Sequence, residues 1–408
     1  MRSASRRLYT RARLIAVRAR DEGAAWTVAQ ILLRLLRFLA WLALLPLASV
    51  LHIAGWRRLP VLTTRIGHLA SEPDCFLKLA ALGRVPERRW FIAAPPGEVA
   101  NDHMLAYWRP HLRVIRHPLL APLLRIACRP PIATLDIAEY ILTHHGPNQY
   151  SEVCTEWEPR APLLKLDAED RDWGRSMLAE LGVPRDAWFV CVHSRAAGFS
   201  PRDDKVHAHR NATLTNLIPA LSAIVARGGW CIVMGHPSAP SLPPLPGIVD
   251  YAHHRLRSAR LDVVLCAMCR FFLGSSSGLF SISTAFGIPV GLANVVPLTA
   301  LPYAPTDFFV PKLYRSARDG RILSFDEILS SPSADYRHSR MYADAGLELI
   351  ESSPEDISDL VADLIDPPAR QSPDPLHPLL RPHHYGYGSR AKLSPRFLVR
   401  HRHLLRTT

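Results

Sequence analysis

What the chain lacks narrows its class first. Seven cysteines, odd in number and scattered over 408 residues, give no legible disulfide framework, and a reducing compartment fits them. Cys266 and Cys269 form a lone C-x-x-C inside an apolar, helix-like run, which reads as a buried structural pair. Zinc-finger spacing, an aromatic RNP motif and a helix-turn-helix signature are all missing, which sets nucleic acid aside as a partner. The pairs His144-His145, His253-His254 and His383-His384 have no third ligand at usable spacing. Asp203-Asp204 is flanked by Arg202 and Lys205, so no metal and no cofactor is expected. Acid is scarce: 36 Asp and Glu against 49 Lys and Arg leave a net charge of +13. That balance favours anionic partners, either phosphorylated ligands or an acidic membrane face.

Acid is absent from the first twenty residues, which carry Arg2, Arg6, Arg7, Arg11, Arg13, Arg18 and Arg20. No convincing small-residue cleavage site follows the apolar core, which argues against a secretory signal. The uncharged stretch from Phe38 to Trp56 is barely long enough to span a bilayer and contains Pro46 and His52. Basic residues at both ends give no orientation. The reading is a membrane-surface or re-entrant anchor over residues 1–57, with both ends cytoplasmic, placing the protein at the cytoplasmic face of the inner membrane as a peripheral or monotopic protein. A true span, or a soluble amphipathic helix packed on the body, are the other two readings.

The remainder is long enough for two globular cores. Val61–Thr64 reads as a strand with its exit at Arg65–Leu69, Cys75–Leu82 as a helix, Trp90–Ala93 and Leu112–Ile115 as further strands, and Pro159–Leu166 as a linker. A clearer α/β unit follows. Trp188–Val192 is a strand, Asn211 caps a helix carrying Leu214, Leu217, Leu221 and Ile224, and Trp230–Met234 is the next strand. Ser258 caps a helix running to Cys269, and strands at Phe271–Leu273 and Val290–Leu292 complete the order. A terminal helix is expected over Pro395–Leu405. Repeated β–α–β units make a doubly wound parallel sheet, whose ligands belong at the carboxyl ends of its strands. Those ends carry His193-Ser194-Arg195, Gly235-His236, Asp250-Tyr251 and the run Gly274-Ser275-Ser276-Ser277-Gly278. The last, between a buried strand and a helix, is a hydroxyl-rich turn suited to phosphate.

Arg65-Ile66-Gly67-His68-Leu69 with Glu72-Pro73-Asp74, then His193-x-Arg195, Asp250-Tyr251-Ala252-His253 and Phe272-x-Gly274-x-Ser276-Ser277-Gly278 together resemble a bacterial family of glycosyltransferases of GT-B type, over roughly residues 60–365. More distantly, His193-Ser194-Arg195 is similar to the H-x-R element of GDP-fucose-dependent fucosyltransferases, although Ala196-Ala197-Gly198 replaces the second Arg and the Asp that follow there. The Arg65–Asp74 segment sits where heptosyltransferase-like enzymes place an acidic base. The resemblance implies two Rossmann-like domains facing a cleft: an acceptor domain over 58–165 and a nucleotide-sugar domain over 166–366, with 367–408 as a tail. It implies an inverting, metal-independent transfer from a nucleotide-diphosphate sugar to a glycan or lipid-linked acceptor.

Such chemistry needs a base for the acceptor hydroxyl and donors for the departing diphosphate. Glu72 is the favoured base, with Asp74 and His68 as rivals; Arg195, Ser276, Ser277 and Gly278 would meet the diphosphate. Plainer duties stand beside these. Glu72 is also a helix-start charge, His193 a core histidine bonded to backbone, and Arg195 a partner for Asp203 or Asp204; Asp262 reads as a capping charge. Other readings of the whole are an epimerase or hydrolase of the same architecture, or a non-catalytic scaffold that binds nucleotide-sugar.

Overall fold

The structure is a computed structural model, and it describes residues 23–25, 27–128, 149–198, 201–367 and 374–405. Two parallel sheets organise the described residues. The first joins β1 (Trp56–Arg58), β2 (Arg89–Ala93) and β3 (Arg113–Ile115) in that order. The second uses β4 (Trp188–His193), β5 (Gly229–Val233), β6 (Ile248–Asp250), β7 (Phe272–Gly274), β8 (Val290–Val295) and β9 (Phe308–Pro311). After a separate hairpin of β10 (Leu313–Ser316) and β11 (Leu347–Ile350), β12 (Lys392–Leu393) returns to it, giving the order β12-β9-β8-β7-β4-β5-β6.

This order fixes where a ligand belongs. The chain moves outward in one direction through β4, β5 and β6, and in the other through β7, β8 and β9, so the winding reverses between β4 and β7. Their carboxyl ends meet in register, His193 beside Gly274. Crevices at such reversals are where doubly wound sheets bind ligands. Both strands are buried on both faces, which explains their unbroken apolar sequence.

The first half departs from the sequence reading at its opening. The first strand is Trp56–Arg58, paired with Arg89–Phe91, rather than Val61–Thr64. Arg57 is nonetheless buried there, its guanidinium donating to the His52 and Trp56 carbonyls. The helix expected at Cys75 begins nine residues earlier and runs Ile66–Ala81, with Pro73 inside it. Proline has no N–H for the carbonyl four residues back and ordinarily breaks a helix. Here the released Leu69 carbonyl accepts from Trp108 Nε1 at 2.9 Å, so the helix continues.

Elsewhere Ser258 caps helix Ala259–Met268 as expected, accepting from the Leu261 N–H at 3.1 Å. Asn211 caps no α-helix: Leu214–Leu217 is a 3-10 turn, and the α-helix starts at Ile218 with Pro219 in its first turn. The segment read as a tail joins the fold. β12 extends the large sheet beside β9, and Ser394 and Arg396 both bond the Asp363 carboxylate. The terminal helix is shorter than expected, Pro395–Arg400 followed by a 3-10 turn.

The uncharged stretch Phe38–Trp56 is not one element. Helix Gly23–Ala43 ends inside it, and a second helix, Leu45–Ile53, starts with Pro46 in its first turn. By length and composition Gly23–Ala43 is apolar enough to cross a membrane, and Ile31, Leu35, Leu36 and Phe38 on it are exposed. Residues 1–22 lie outside the described residues, as do His144-His145.

Candidate active site

A cavity of about 720 Å³ lies between the carboxyl ends of the two sheets. The loop after β1 and the start of helix Ile66–Ala81 wall it on one side, with Ala100 and Asn101 after β2. The ends of β4, β5 and β7 wall it on the other.

The first wall is built around helix spacing. His68 and Glu72 stand one turn apart, and the His68 Nδ1 lies 2.7 Å from Glu72 Oε1. Glu72 is almost fully buried, and its other oxygen accepts the Leu62 N–H at 2.8 Å. A carboxylate accepting on both oxygens fixes the imidazole with its proton on Nδ1, so Nε2 is the basic nitrogen. His68 lines the cavity and is 24% exposed by side chain. Glu72 is therefore behind the wall and His68 in it, which reverses the order in which the sequence ranked them.

Asp74 does not reach the cavity. Two residues beyond Glu72 a helix has turned by about 200°, so Asp74 faces helix Gln149–Trp157. There it is fully buried, paired with Lys78 Nζ at 2.6 Å and accepting from Tyr150 OH. Burial pushes its carboxyl above the ordinary range, against the pull of Lys78. Its work is to join two helices.

On the second wall, the backbone ties the H-x-R strand end to the serine turn. Ser275 N–H donates to the His193 carbonyl at 3.1 Å, and Arg195 N–H donates to Ser275 Oγ at 2.8 Å. Gly274 has no room for a side chain, because a Cβ there would lie 2.8 Å from the His193 carbonyl oxygen. Gly274 and Ser275 thus shape the turn, while Ser276, Ser277 and Gly278 face the cavity. The Ser276 and Ser277 hydroxyls are buried and have no hydrogen-bond partner among the described residues. His193 Nδ1 is 3.1 Å from the Met234 carbonyl, which makes it the donor and leaves Nε2 as an acceptor. Burial, with the nearby Arg195 charge adding to it, holds His193 below its ordinary pKa and neutral. The backbone-bonded reading and the cavity-lining reading of this histidine are both true.

Gly235 and His236 line the cavity, but Asp250 and Tyr251 do not. β6 is the sheet's edge strand, and its end braces instead of binding. The Asp250 carboxylate holds His253 Nδ1 at 2.9 Å, while His253 Nε2 reaches the Pro237 carbonyl at 3.0 Å, which pins the loop carrying His236. Tyr251 is buried, its hydroxyl accepting the Ser258 N–H at 3.1 Å.

The structure adds residues that sequence reasoning passed over. Arg65, Arg195, Arg210, Arg257 and Arg337 all line the cavity. The guanidinium of Arg210 grips the Ser276 carbonyl, with Nε at 2.9 Å. Asp262 is the carboxylate among the lining residues, 4.0 Å from Arg257, and since Ser258 does the capping it is not a cap. Burial raises its pKa. Tyr385 lines the cavity from the segment read as a tail, with Arg337 stacked over its ring at 4.4 Å. No local pattern marked Arg210, Arg337 or Tyr385; the β12 return and the chain's path bring them in. Among the described residues no three His, Cys, Asp or Glu side chains stand together as a candidate metal site. A cavity with these cations and one carboxylate attracts a multiply charged anion.

No protein-family model and no curated protein matches the chain. Among solved structures it is similar to a glycosyl transferase of family 9 from Veillonella parvula, at 11% identity and a TM-score of 0.41, over 63% of this chain and 86% of that one. It is also similar to the E. coli ADP-heptose lipopolysaccharide heptosyltransferase II, at 12% identity and a TM-score of 0.38, over 63% of this chain and 90% of that one. A third is the iron-containing dodecameric glycosyltransferase TibC of enterotoxigenic E. coli, at 15% identity and a TM-score of 0.32, over 62% and 61%.

Proposed function

We propose that this chain is a glycosyltransferase of GT-B type that moves a sugar from a nucleotide-diphosphate donor to a glycan or lipid-linked acceptor, with inversion and without a metal. One observation carries the reading: two chemically unlike walls face one cavity. The first offers a basic imidazole held by a buried carboxylate, and the second offers arginines and hydroxyls suited to phosphate.

In this reaction His68 Nε2 takes the proton of the acceptor hydroxyl as its oxygen bonds the anomeric carbon. Glu72 steadies the imidazolium that results. The bond from the anomeric carbon to the diphosphate breaks, and its electron pair leaves on the diphosphate oxygen. Arg195, the Ser276 and Ser277 hydroxyls and the Gly278 N–H stabilise that charge. Attack from the side opposite the leaving group inverts the anomeric carbon.

The test is transfer from labelled nucleotide-sugars to a lipid and glycan extract. His68→Gln should lower turnover at least about a hundredfold, the usual share of general-base catalysis, while donor affinity stays within about threefold. Near-normal turnover in folded His68→Gln removes the dyad from the mechanism.

A further inference from the structure

The start of helix Ile66–Ala81 opens onto the cavity uncapped. Arg65 holds the N-cap position in extended backbone, φ −124° and ψ 121°, and no side chain caps the turn. The first intrahelical bond is Leu69 N–H to the Arg65 carbonyl, 2.9 Å. The N–H groups of Ile66, Gly67 and His68 therefore have no acceptor within the helix. No acidic residue stands in that first turn. A sixteen-residue helix ending this way presents partial positive charge and free donors together.

A helix start alone makes no site, but this one faces an independent signal. Ser276 is 6% exposed, and its hydroxyl has no partner among the described residues. Arg65, Ile66, Gly67 and Ser276 line the same cavity. The two backbones also touch beside it. A Cβ on Gly67 would lie 2.8 Å from Gly278 Cα, and one on Gly278 would lie 2.9 Å from the Gly67 nitrogen. Only a pair of glycines lets the helix start and the serine turn come this close. One small anion can then reach both.

We propose that the start of helix Ile66–Ala81, with Arg65, forms a second phosphate-binding wall, and that a diphosphate is held between it and the serine turn, bridging the two halves of the molecule. The inference rests on the nucleotide-sugar reading of the cavity and deepens it. A monophosphate satisfies one wall; a diphosphate satisfies both. The arrangement also has a catalytic consequence. His68 sits in the same turn, so the group that holds the leaving diphosphate also carries the base. Binding the donor then sets the distance between the base and the bond that breaks.

Arg65 is exposed, which makes it a clean site for the test. Arg65→Asp supplies a good N-cap and should hold or raise the unfolding midpoint, while placing negative charge where the anion would lie. Inorganic pyrophosphate and inorganic phosphate are titrated calorimetrically into the whole chain, its Arg65→Asp and Arg65→Gln variants, and Arg195→Ala. The expected result is pyrophosphate bound at least tenfold tighter than phosphate by the parent chain. That preference should fall below threefold in Arg65→Asp and weaken in Arg65→Gln, with unfolding midpoints intact. Parent-like pyrophosphate affinity in both Arg65 variants, alongside a loss in Arg195→Ala, overturns the second wall and leaves the nucleotide-sugar reading standing. If the parent binds neither pyrophosphate nor any nucleoside diphosphate, both fall.

Discussion

His209 shows how a single side chain carries the cavity's charge. It is buried beside His207, His338, Arg210 and Lys312, with the Tyr342 ring 5.4 Å away. Burial, and after it the Arg210, His207, His338 and Lys312 charges, lower its pKa from 6.5 to about 3. The unfolded chain then binds this proton below about pH 6.5, while the folded chain refuses it until about pH 3. Between those values the unfolded state holds more protons, so stability drops as pH falls through that window. In His209→Gln the acid limb of the unfolding midpoint should be flatter than in the parent over pH 6.5 to 4. Parallel limbs for the two proteins would show that His209 is not held neutral by its surroundings. The sequence gave no hint of this residue, since His207, His209 and His338 lie far apart from any motif and meet through helix Ser339–Asp344 and the β10–β11 hairpin. By contrast Arg195, Ser276, Ser277 and Gly278 were legible, because a strand end followed by a small, hydroxylated turn has a local signature.

At the scale of elements, Pro73 decided what could be read. Taken alone it ends a helix, so a sequence reading starts the helix at Cys75 and leaves Glu72 and Asp74 in a loop. The structure keeps the helix through Pro73 because the Trp108 indole, 39 positions from Leu69 in sequence, satisfies the freed carbonyl. Long-range satisfaction of a backbone group is invisible to local pattern. It changes function as well as boundaries. Once helical, His68 and Glu72 share a face and Asp74 leaves it. Trp108→Phe keeps most of the buried ring but orphans the Leu69 carbonyl, and the expected loss is about 1–3 kcal/mol in urea unfolding. The serine-turn wall should be untouched, so nucleotide affinity at a temperature where the variant is folded should match the parent. A loss under about 0.5 kcal/mol would mean that the helix does not depend on this bond.

Across the whole molecule, the alternation of strands and helices identified the parallel sheets correctly, because buried parallel strands read as unbroken apolar runs. The ends of the chain were harder. β12 is two residues long and joins the sheet only because Asp363 gathers Ser394 and Arg396, and Tyr385 reaches the cavity from the same returning segment. Near the other end, Pro46 divides an apolar stretch that looks continuous in composition. A single buried apolar cluster runs from Leu59 and Phe76 in the first half to Phe272 and Leu292 in the second, so the two sheets hold the cavity between them as parts of one packed body.

The central claim is that this cavity binds a nucleotide diphosphate through Arg195 and the serine turn, and calorimetric titration of nucleoside diphosphates and nucleotide-sugars tests it most directly. At least one member of the panel should bind the parent chain, and Arg195→Ala should weaken it by about 1.5–3 kcal/mol, the scale of hydrogen bonds to a charged group, or roughly ten- to a hundredfold. A panel that fails to bind the parent, or a best ligand bound equally well by folded Arg195→Ala, contradicts the account.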